Sequence, residues 1–283
     1  MKNLFLASAI AVGSILNVQA QSPALKTPAP SPTQTLKQDF ALSSISIEYS
    51  RPSVKGRTIF GDVVPYGKTW RTGANASTKI TFGEDVKVEG KAVPAGTYAL
   101  YTIPNKDSWE IMLYKDLSIA GRVAEYKTEN ELTRFTVKPT SLSQKVETLT
   151  LNVADVTSST AVIEITWDKV RVAFTVVADI DSKIMKNIET ALATDSRPYF
   201  QAANYYYETD KDPKQALDWV NKAIDANPKA FWMIMLKAKI QLKLKDNAGA
   251  IASAEQVNTL AKEAQNDDYQ AMAQKLIVEA KKK

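Results

Sequence analysis

The spacing of apolar positions changes once along this chain, near residue 178, and the change divides it into two parts. Between residues 43 and 178, apolar and polar residues alternate, as in the runs around Trp109 and Leu149. A period of two places alternate side chains on one face of a strand. Many such runs, separated by turn residues and not by helical stretches, predict an antiparallel β-sandwich or barrel over residues 43–178.

Two details of this β segment are specific enough to test. In the run from residue 109 to 114, Trp109, Ile111 and Leu113 fall on one face and the residues between them on the other. The pair Asp168-Lys169 lies between two strand-like runs, so we predict a two-residue turn there.

After residue 178 the apolar period becomes helical. Ile184, Ile188 and Leu192 recur every fourth residue and predict a helix within a connecting segment, residues 179–196. The pair Asp212-Pro213 is typical of a helix start, and we expect Asn227-Pro228 to end that helix and start the next. We predict an all-α domain over residues 197–283, with helices near residues 198–209, 213–226, 228–244, 248–264 and 268–282.

The spacing of large and small residues in this helical segment resembles the tetratricopeptide repeat, which has a period of about 34 residues. The matching positions are Phe200, Ala203, Tyr207, Ala216, Val220, Ala223 and Pro228. Asn204 stands where the repeat has a small residue, and Lys262 stands where a second unit would end in proline. The resemblance implies stacked helix pairs; a generic helical bundle is the alternative.

The N-terminal 42 residues have two compositions. Residues 1–20 combine Lys2, an apolar stretch and small residues at a cleavage position, which predicts a cleaved secretory signal peptide. Residues 21–42 are predicted to be a Pro-rich linker. Because the chain has no cysteine to carry a lipid anchor, we expect a periplasmic or secreted protein without a membrane span.

Composition narrows the chemistry that is available. The chain has no histidine and no cysteine, so catalytic triads, thiol nucleophiles and the usual zinc sites cannot be built. We therefore predict no catalytic residue, metal ligand or cofactor, and binding is favoured over catalysis. The net charge of +5 is spread along the chain, which argues against nucleic acid as a partner.

Pairs of carboxylates remain possible as catalytic groups. Candidates in or beside the predicted strands are Glu48, Glu110, Glu125, Glu164 and Asp168. Two carboxylates about 5–9 Å apart suffice for glycoside hydrolysis. On strands, however, charged side chains commonly form a solvated face.

A set of residues on turns of the β segment is the candidate ligand site: Arg51, Arg57, Trp70, Arg71 and Asn75. Arginine binds carboxylates and phosphates in bidentate fashion, and tryptophan stacks on sugar faces or on a guanidinium group. The set could hold a glycan or another anionic ligand. The alternative is a buried structural network in which Arg71 binds backbone carbonyls and Trp70 packs in the core.

The helical segment is rich in aromatic residues. Tyr206 and Trp232 fall outside the repeat's core positions, so we predict that they contact a protein partner. Core packing is the alternative for each of them.

Several strings in the β segment carry a second resemblance. They are SIEYSRPSVKGR at residues 46–57, WRTGAN at residues 70–75 and PAGTY at residues 94–98. On these strings the segment resembles the domain of unknown function 2911 family, found mostly in secreted proteins of Bacteroidetes. The resemblance implies a β-rich exported domain, often joined to helical repeats and without an established activity. Residues 120–126 replace a segment that is often tryptophan-centred in the family.

These observations lead to one functional hypothesis and one alternative. We expect an exported, non-catalytic binding or scaffold protein of the cell envelope. Its helical repeats would bind a protein partner, and its β domain would bind a second envelope component. The alternative is a carbohydrate-binding or carboxylate-dependent carbohydrate-active protein.

Overall fold

A computed structural model describes residues 27–193 and 198–282, and the chain divides into two units between Val177 and Ala178. The predicted signal peptide, residues 1–20, lies outside the described residues. The first unit contains β-strands and the second contains α-helices, so the predicted order of fold classes is confirmed.

The β unit contains two antiparallel sheets. The strands are β1 (Thr33–Phe40), β2 (Ser43–Ser50), β3 (Thr78–Phe82), β4 (Val86–Val88), β5 (Lys91–Val93), β6 (Gly96–Pro104), β7 (Trp109–Tyr114), β8 (Glu131–Val137), β9 (Thr140–Ala154) and β10 (Thr160–Val177). The six-stranded sheet has the order β1-β2-β3-β6-β7-β8, and the four-stranded sheet has the order β5-β4-β10-β9. Within the described residues the sheets stay separate and do not close into a barrel.

The core of the β unit lies between the two sheets. Phe60 packs edge-on against Trp109 of β7 and Trp167 of β10, with ring centroids 5.1 Å and 6.2 Å away. The hydroxyl of Tyr49 in β2 accepts a hydrogen bond from the backbone N–H of Leu151 in β9 at 3.0 Å. Buried aromatic area and this hydrogen bond therefore hold the sheets together.

The outer face of β6 and β7 is also buried. Tyr101, Met112 and Tyr114 are buried there, although the alternation places Met112 and Tyr114 opposite Trp109. Residues 115–130, which include the short 3-10 helices Leu117–Ile119, Val123–Glu125 and Thr128–Asn130, fold over this face. We call residues 115–130 the cover segment. It gives the central strands of this sheet a second, smaller core.

Two predictions about the β unit are wrong. The predicted linker, residues 21–42, overlaps strand β1, which pairs with β2 along its whole length from Thr33 to Phe40. The predicted turn at Asp168-Lys169 is an irregularity inside the 18-residue strand β10, where the register with β9 shifts on both sides of Asp168. Asp168 takes a left-handed φ of 52°, which a bulge accommodates.

The second unit contains six helices among its described residues. They are α1 (Asp181–Ala193), α2 (Tyr199–Glu208), α3 (Pro213–Ala226), α4 (Phe231–Lys243), α5 (Asn247–Glu263) and α6 (Asp267–Lys282). Consecutive helices from α2 to α6 pack against each other, and α4 also contacts α2 and α6. Asp212 caps α3 by accepting a hydrogen bond from the Lys214 N–H at 2.9 Å, with Pro213 following as predicted.

Helix α1, predicted as part of a connecting segment, packs within the helical unit. Its Ile188 and Leu192 contact the core cluster that contains the buried Ala203 and Ala216. The Asp181 carboxylate accepts a hydrogen bond from the Tyr205 hydroxyl at 2.7 Å. Alanines in this cluster let α2 and α3 approach each other closely. The larger side chains of α1 pack against the same cluster.

Candidate ligand-binding site

A pocket of about 280 Å³ opens in the β unit beside the loop that precedes β3. Three of the five predicted ligand-binding residues line it: Arg57, Trp70 and Arg71. The lining also includes Trp167 of β10 and Val123 of the cover segment. The pocket therefore combines cationic side chains with indole rings.

Trp70 is fixed by its backbone and by its ring. Its N–H donates to the Thr102 carbonyl at 2.7 Å, and its own carbonyl accepts from the Thr102 N–H at 2.9 Å. The indole Nε1–H donates to the Gly73 carbonyl at 3.1 Å, and the ring stacks on Trp167 with 5.9 Å between centroids. Trp70 is therefore a rigid, partly buried wall of the pocket.

Arg71 differs from the other candidate arginines because its guanidinium group donates no hydrogen bond to any described residue and forms no ion pair with one. It is partly buried and lines the pocket. Its side chain passes close to Gly121, since a Cβ atom built on Gly121 would lie 3.0 Å from Arg71 Cδ. The absence of a side chain at Gly121 thus makes room for Arg71.

Arg57 is bonded locally although it lines the same pocket. Its Nε and Nη2 donate to the backbone carbonyls of Val54 at 3.1 Å and Ser53 at 2.6 Å. These bonds hold an exposed side chain in one orientation, which reduces the entropy lost when a ligand binds.

Arg51 and Asn75 do not line the pocket. Arg51 donates from Nε to the Leu149 carbonyl at 3.0 Å and from Nη2 to the Thr150 hydroxyl at 2.9 Å, and so links the end of β2 to β9 of the other sheet. Asn75 is exposed, takes a left-handed φ of 60°, and donates long hydrogen bonds of 3.4 Å to the Ser31 carbonyl and the Ser50 hydroxyl.

The charge of the pocket is one-sided. Among the described residues that line it are two arginines and neither aspartate nor glutamate. The candidate carboxylates lie elsewhere and most are paired: Glu125 with Arg122, Glu164 with Arg171 and Glu48 with Lys79. The arrangement favours an anionic group in the pocket.

Sequence reasoning missed a polar network at the end of the cover segment. Arg134 pairs with both Glu110 and Glu131, and the Tyr126 hydroxyl donates to Glu131 at 2.8 Å. Burial opposes the ionisation of Glu131, but hydrogen bonds from Arg134 and Tyr126 outweigh it and lower the Glu131 pKa. Burial and the bond to Glu131 raise the pKa of Tyr126 well above its usual range.

Two of the lining residues that prediction missed, Trp167 and Val123, come from parts of the chain distant from the predicted set. Trp167 is only 2% exposed, and its place in the sequence is typical of a core residue of a strand. Val123 belongs to a stretch with no strand or helix period. The only feature of the sequence that drew attention to the region of Val123 was that residues 120–126 differ from the tryptophan-centred segment often found in the family.

In the helical unit, Tyr206 and Trp232 do not line a common groove. Tyr206 is partly buried and packs edge-on against Trp219 at 4.7 Å, beside a cavity that α1 also lines. Trp232 is 40% exposed and contacts Phe231. A separate groove of about 650 Å³ lies along α2, α4 and α6, with Tyr207 at one end.

Comparisons with known proteins place the β unit but assign it no activity. Searches of curated proteins and of solved structures found no match. Over the described parts of the chain, no helix has both the length and the apolar character that crossing a bilayer requires. Residues 31–176, just over half of the chain, match the family model described as Protein of unknown function (DUF2911). The chain therefore belongs to the DUF2911 family.

Proposed function

We propose that this chain is an exported, non-catalytic binding protein of the cell envelope whose β unit holds an anionic ligand and whose helical unit binds a protein partner. The observation that carries the first part is the unpaired guanidinium group of Arg71 in a pocket without a carboxylate. A guanidinium group with no acceptor among the described residues keeps its donors available, and a bound anion would pair with it.

The pocket also limits the size of the ligand. About 280 Å³ lies just below the usual range for small-molecule pockets, which suits a group the size of a single sugar or amino acid. Stacked indole rings supply apolar walls, and the arginines supply directional donors. The ligand class that fits is a small carboxylate or phosphate attached to a compact body.

Isothermal titration with glucuronate, glucose 6-phosphate and glucose tests this proposal. We expect the two anionic probes to bind and the neutral sugar to bind at least about tenfold more weakly. Arg71→Gln should weaken the anionic probes by a similar factor, since it removes the charge and keeps a polar side chain. Lys68→Gln is the matched control, because Lys68 is an exposed cation on the same loop that does not line the pocket.

Equal affinity of the wild type and Arg71→Gln for both anions would overturn the anion site. A second candidate, carbohydrate binding through the sugar ring itself, is favoured by the presence of Trp70 and Trp167 in the lining. It predicts equal binding of glucose and glucuronate, and loss of both with Trp70→Ala. The carboxylate-dependent version has less support, because Glu110, Glu125 and Glu164 each pair with an arginine.

A further inference from the structure

The groove along α2, α4 and α6 has an apolar floor and a basic rim. Met235 is 2% exposed and Leu276 is 7% exposed, while Met272 on the facing helix is 39% exposed. Lys239 of α4 and Lys275 of α6 also line the groove. Methionine side chains adapt to different shapes, which suits a surface that receives another molecule.

Two of the lysines that line the groove have no acidic partner among the described residues. Neither Lys239 nor Lys275 forms an ion pair or hydrogen bond with a described residue. Lys243, by contrast, pairs with Asp210 and lies 5.3 Å from the centroid of the Tyr207 ring. The two acidic lining residues, Glu208 and Glu279, act on Tyr207 instead: burial raises the Tyr207 pKa, and the charges of these two carboxylates raise it further.

On each of the two long walls, a methionine that lines the groove is followed along its helix by a lysine that also lines it. Met235 and Lys239 are four residues apart on α4, and Met272 is three residues from Lys275 on α6. One helical turn has 3.6 residues and rises by about 5.4 Å, so each methionine lies about one turn from its lysine. A guest helix lying along the groove has the same spacing, with an apolar residue and an acidic residue one turn apart.

We propose that this groove receives an acidic amphipathic helix of a partner protein. An apolar side chain of the guest helix packs on Met235 and Met272, and a carboxylate four residues away binds Lys239 and Lys275. This inference rests on the proposed binding of a protein partner by the helical unit, and it names the chemistry of that partner. Desolvation at the apolar floor strengthens the ion pairs above it.

Fluorescence anisotropy of the full chain with two synthetic peptides tests the inference. Both peptides are acetylated, amidated and alanine-based, about 18 residues long so that they form helices. The first peptide has leucine and glutamate four residues apart, and the second has lysine in place of glutamate. We expect the acidic peptide to bind at least about tenfold more tightly than the basic one.

The double variant Lys239→Glu/Lys275→Glu should reverse that preference. The double variant Lys237→Glu/Lys262→Glu is the control, because it changes the net charge equally at lysines that do not line the groove. It should keep the preference for the acidic peptide. Met272→Gln, at an exposed position that leaves the core intact, should weaken the acidic peptide without reversing the preference.

Equal binding of the two peptides, or the same reversal in both double variants, would overturn the inference. A pull-down from envelope extract separates this failure from failure of the proposed function. If the wild type recovers a partner but shows no charge preference among peptides, the helical unit binds a partner of other chemistry. If it recovers none and binds neither peptide, the proposed role of the helical unit is wrong as well.

Discussion

Two turns of the β unit carry the same residue types and use them differently. In the turn after β2, residues 51–57, both arginines donate to backbone carbonyls, and Arg51 also reaches the Thr150 hydroxyl of β9. In the loop before β3, residues 70–77, Arg71 donates to no described residue. In the first turn, Arg51 links the sheets, and Arg57 lines the pocket but is bonded within the turn. In the second, Arg71 presents an unbonded cation to the same pocket.

The difference teaches that a charged residue near a turn is informative only once its hydrogen bonds are known. Backbone carbonyls left free at the edge of a sheet need donors, and an arginine that supplies them is part of the fold. An arginine without such acceptors keeps its donors available to a ligand. The structural and the ligand-binding interpretations of the predicted set therefore apply to different members of it.

The largest expected effect on stability comes from a substitution at Gly121, which lies close to the Arg71 side chain. Gly121 takes a left-handed φ of 89°, and a Cβ atom there would lie 2.8 Å from the Ser77 backbone nitrogen and 3.0 Å from Arg71 Cδ. We expect Gly121→Ala to lower the free energy of unfolding by about 3 kcal/mol, through backbone strain and overpacking. It should also weaken the anionic probes because Arg71 must move. Urea unfolding and isothermal titration measure the two effects.

Gly90 provides the matched control for that substitution. It has a similar φ of 76°, but a Cβ atom there meets nothing within 4 Å. Gly90→Ala should therefore cost only the backbone strain, about 1 kcal/mol, and leave probe binding unchanged. An equal loss of stability in both variants would show that the packing of the cover segment on the loop contributes nothing.

The second prediction compares the two arginines directly. Arg51→Ala removes two hydrogen bonds from a charged donor to β9 and leaves the Leu149 carbonyl without its side-chain donor, so we expect a loss of about 2 kcal/mol. Arg71→Ala removes no hydrogen bond within the described chain and should change stability by less than about 0.5 kcal/mol. Urea titrations of both variants give the two values. Similar losses would mean that both arginines are structural.

The fold class was predictable because burial sets the apolar period. Helix α3 (Pro213–Ala226) matches its predicted range, since Asp212 and Pro213 mark its start and a buried stripe runs along it. Strand β1 was missed for two reasons. It is an edge strand in which only Phe40 is fully buried, so its sequence shows little apolar alternation, and the prolines that precede it suggested a linker. The irregularity at Asp168 was missed because a bulge and a turn use the same residue types.

The kind of site could be predicted from the sequence, but the full set of residues that line it could not. Arginine, tryptophan and glycine on turns indicated a site, and Arg57, Trp70 and Arg71 do line one pocket. Which arginine finds a carbonyl depends on strand pairing almost 100 residues away, as the bond from Arg51 to Leu149 shows. No local pattern contains that information, and none predicts that Trp167 and Val123 complete the lining.

The third prediction concerns the network that anchors the far end of the cover segment. Glu131 has a lowered pKa in the folded protein, so its stabilising contribution is present above its unfolded pKa of about 4.3 and disappears as pH falls through the folded pKa. We expect Glu131→Gln to cost about 1 kcal/mol at pH 7 and progressively less below pH 4. Urea titrations of wild type and variant from pH 7 to pH 3 measure the difference. A difference that stays constant with pH would contradict the ionic role.

The smallest effect concerns Asn75, the predicted ligand residue that lies outside the lining. Its hydrogen bonds of 3.4 Å are long, so its backbone conformation, a φ of 60°, is its main structural contribution. Asn75→Gly should change stability by only a few tenths of a kcal/mol, while Asn75→Ala should cost about 1 kcal/mol, because alanine tolerates the left-handed region less well. Urea unfolding ranks the two variants. If Asn75→Gly instead abolishes probe binding while the fold stays intact, then Asn75 contacts the ligand, and the binding surface extends past the rim of the pocket toward Ser31.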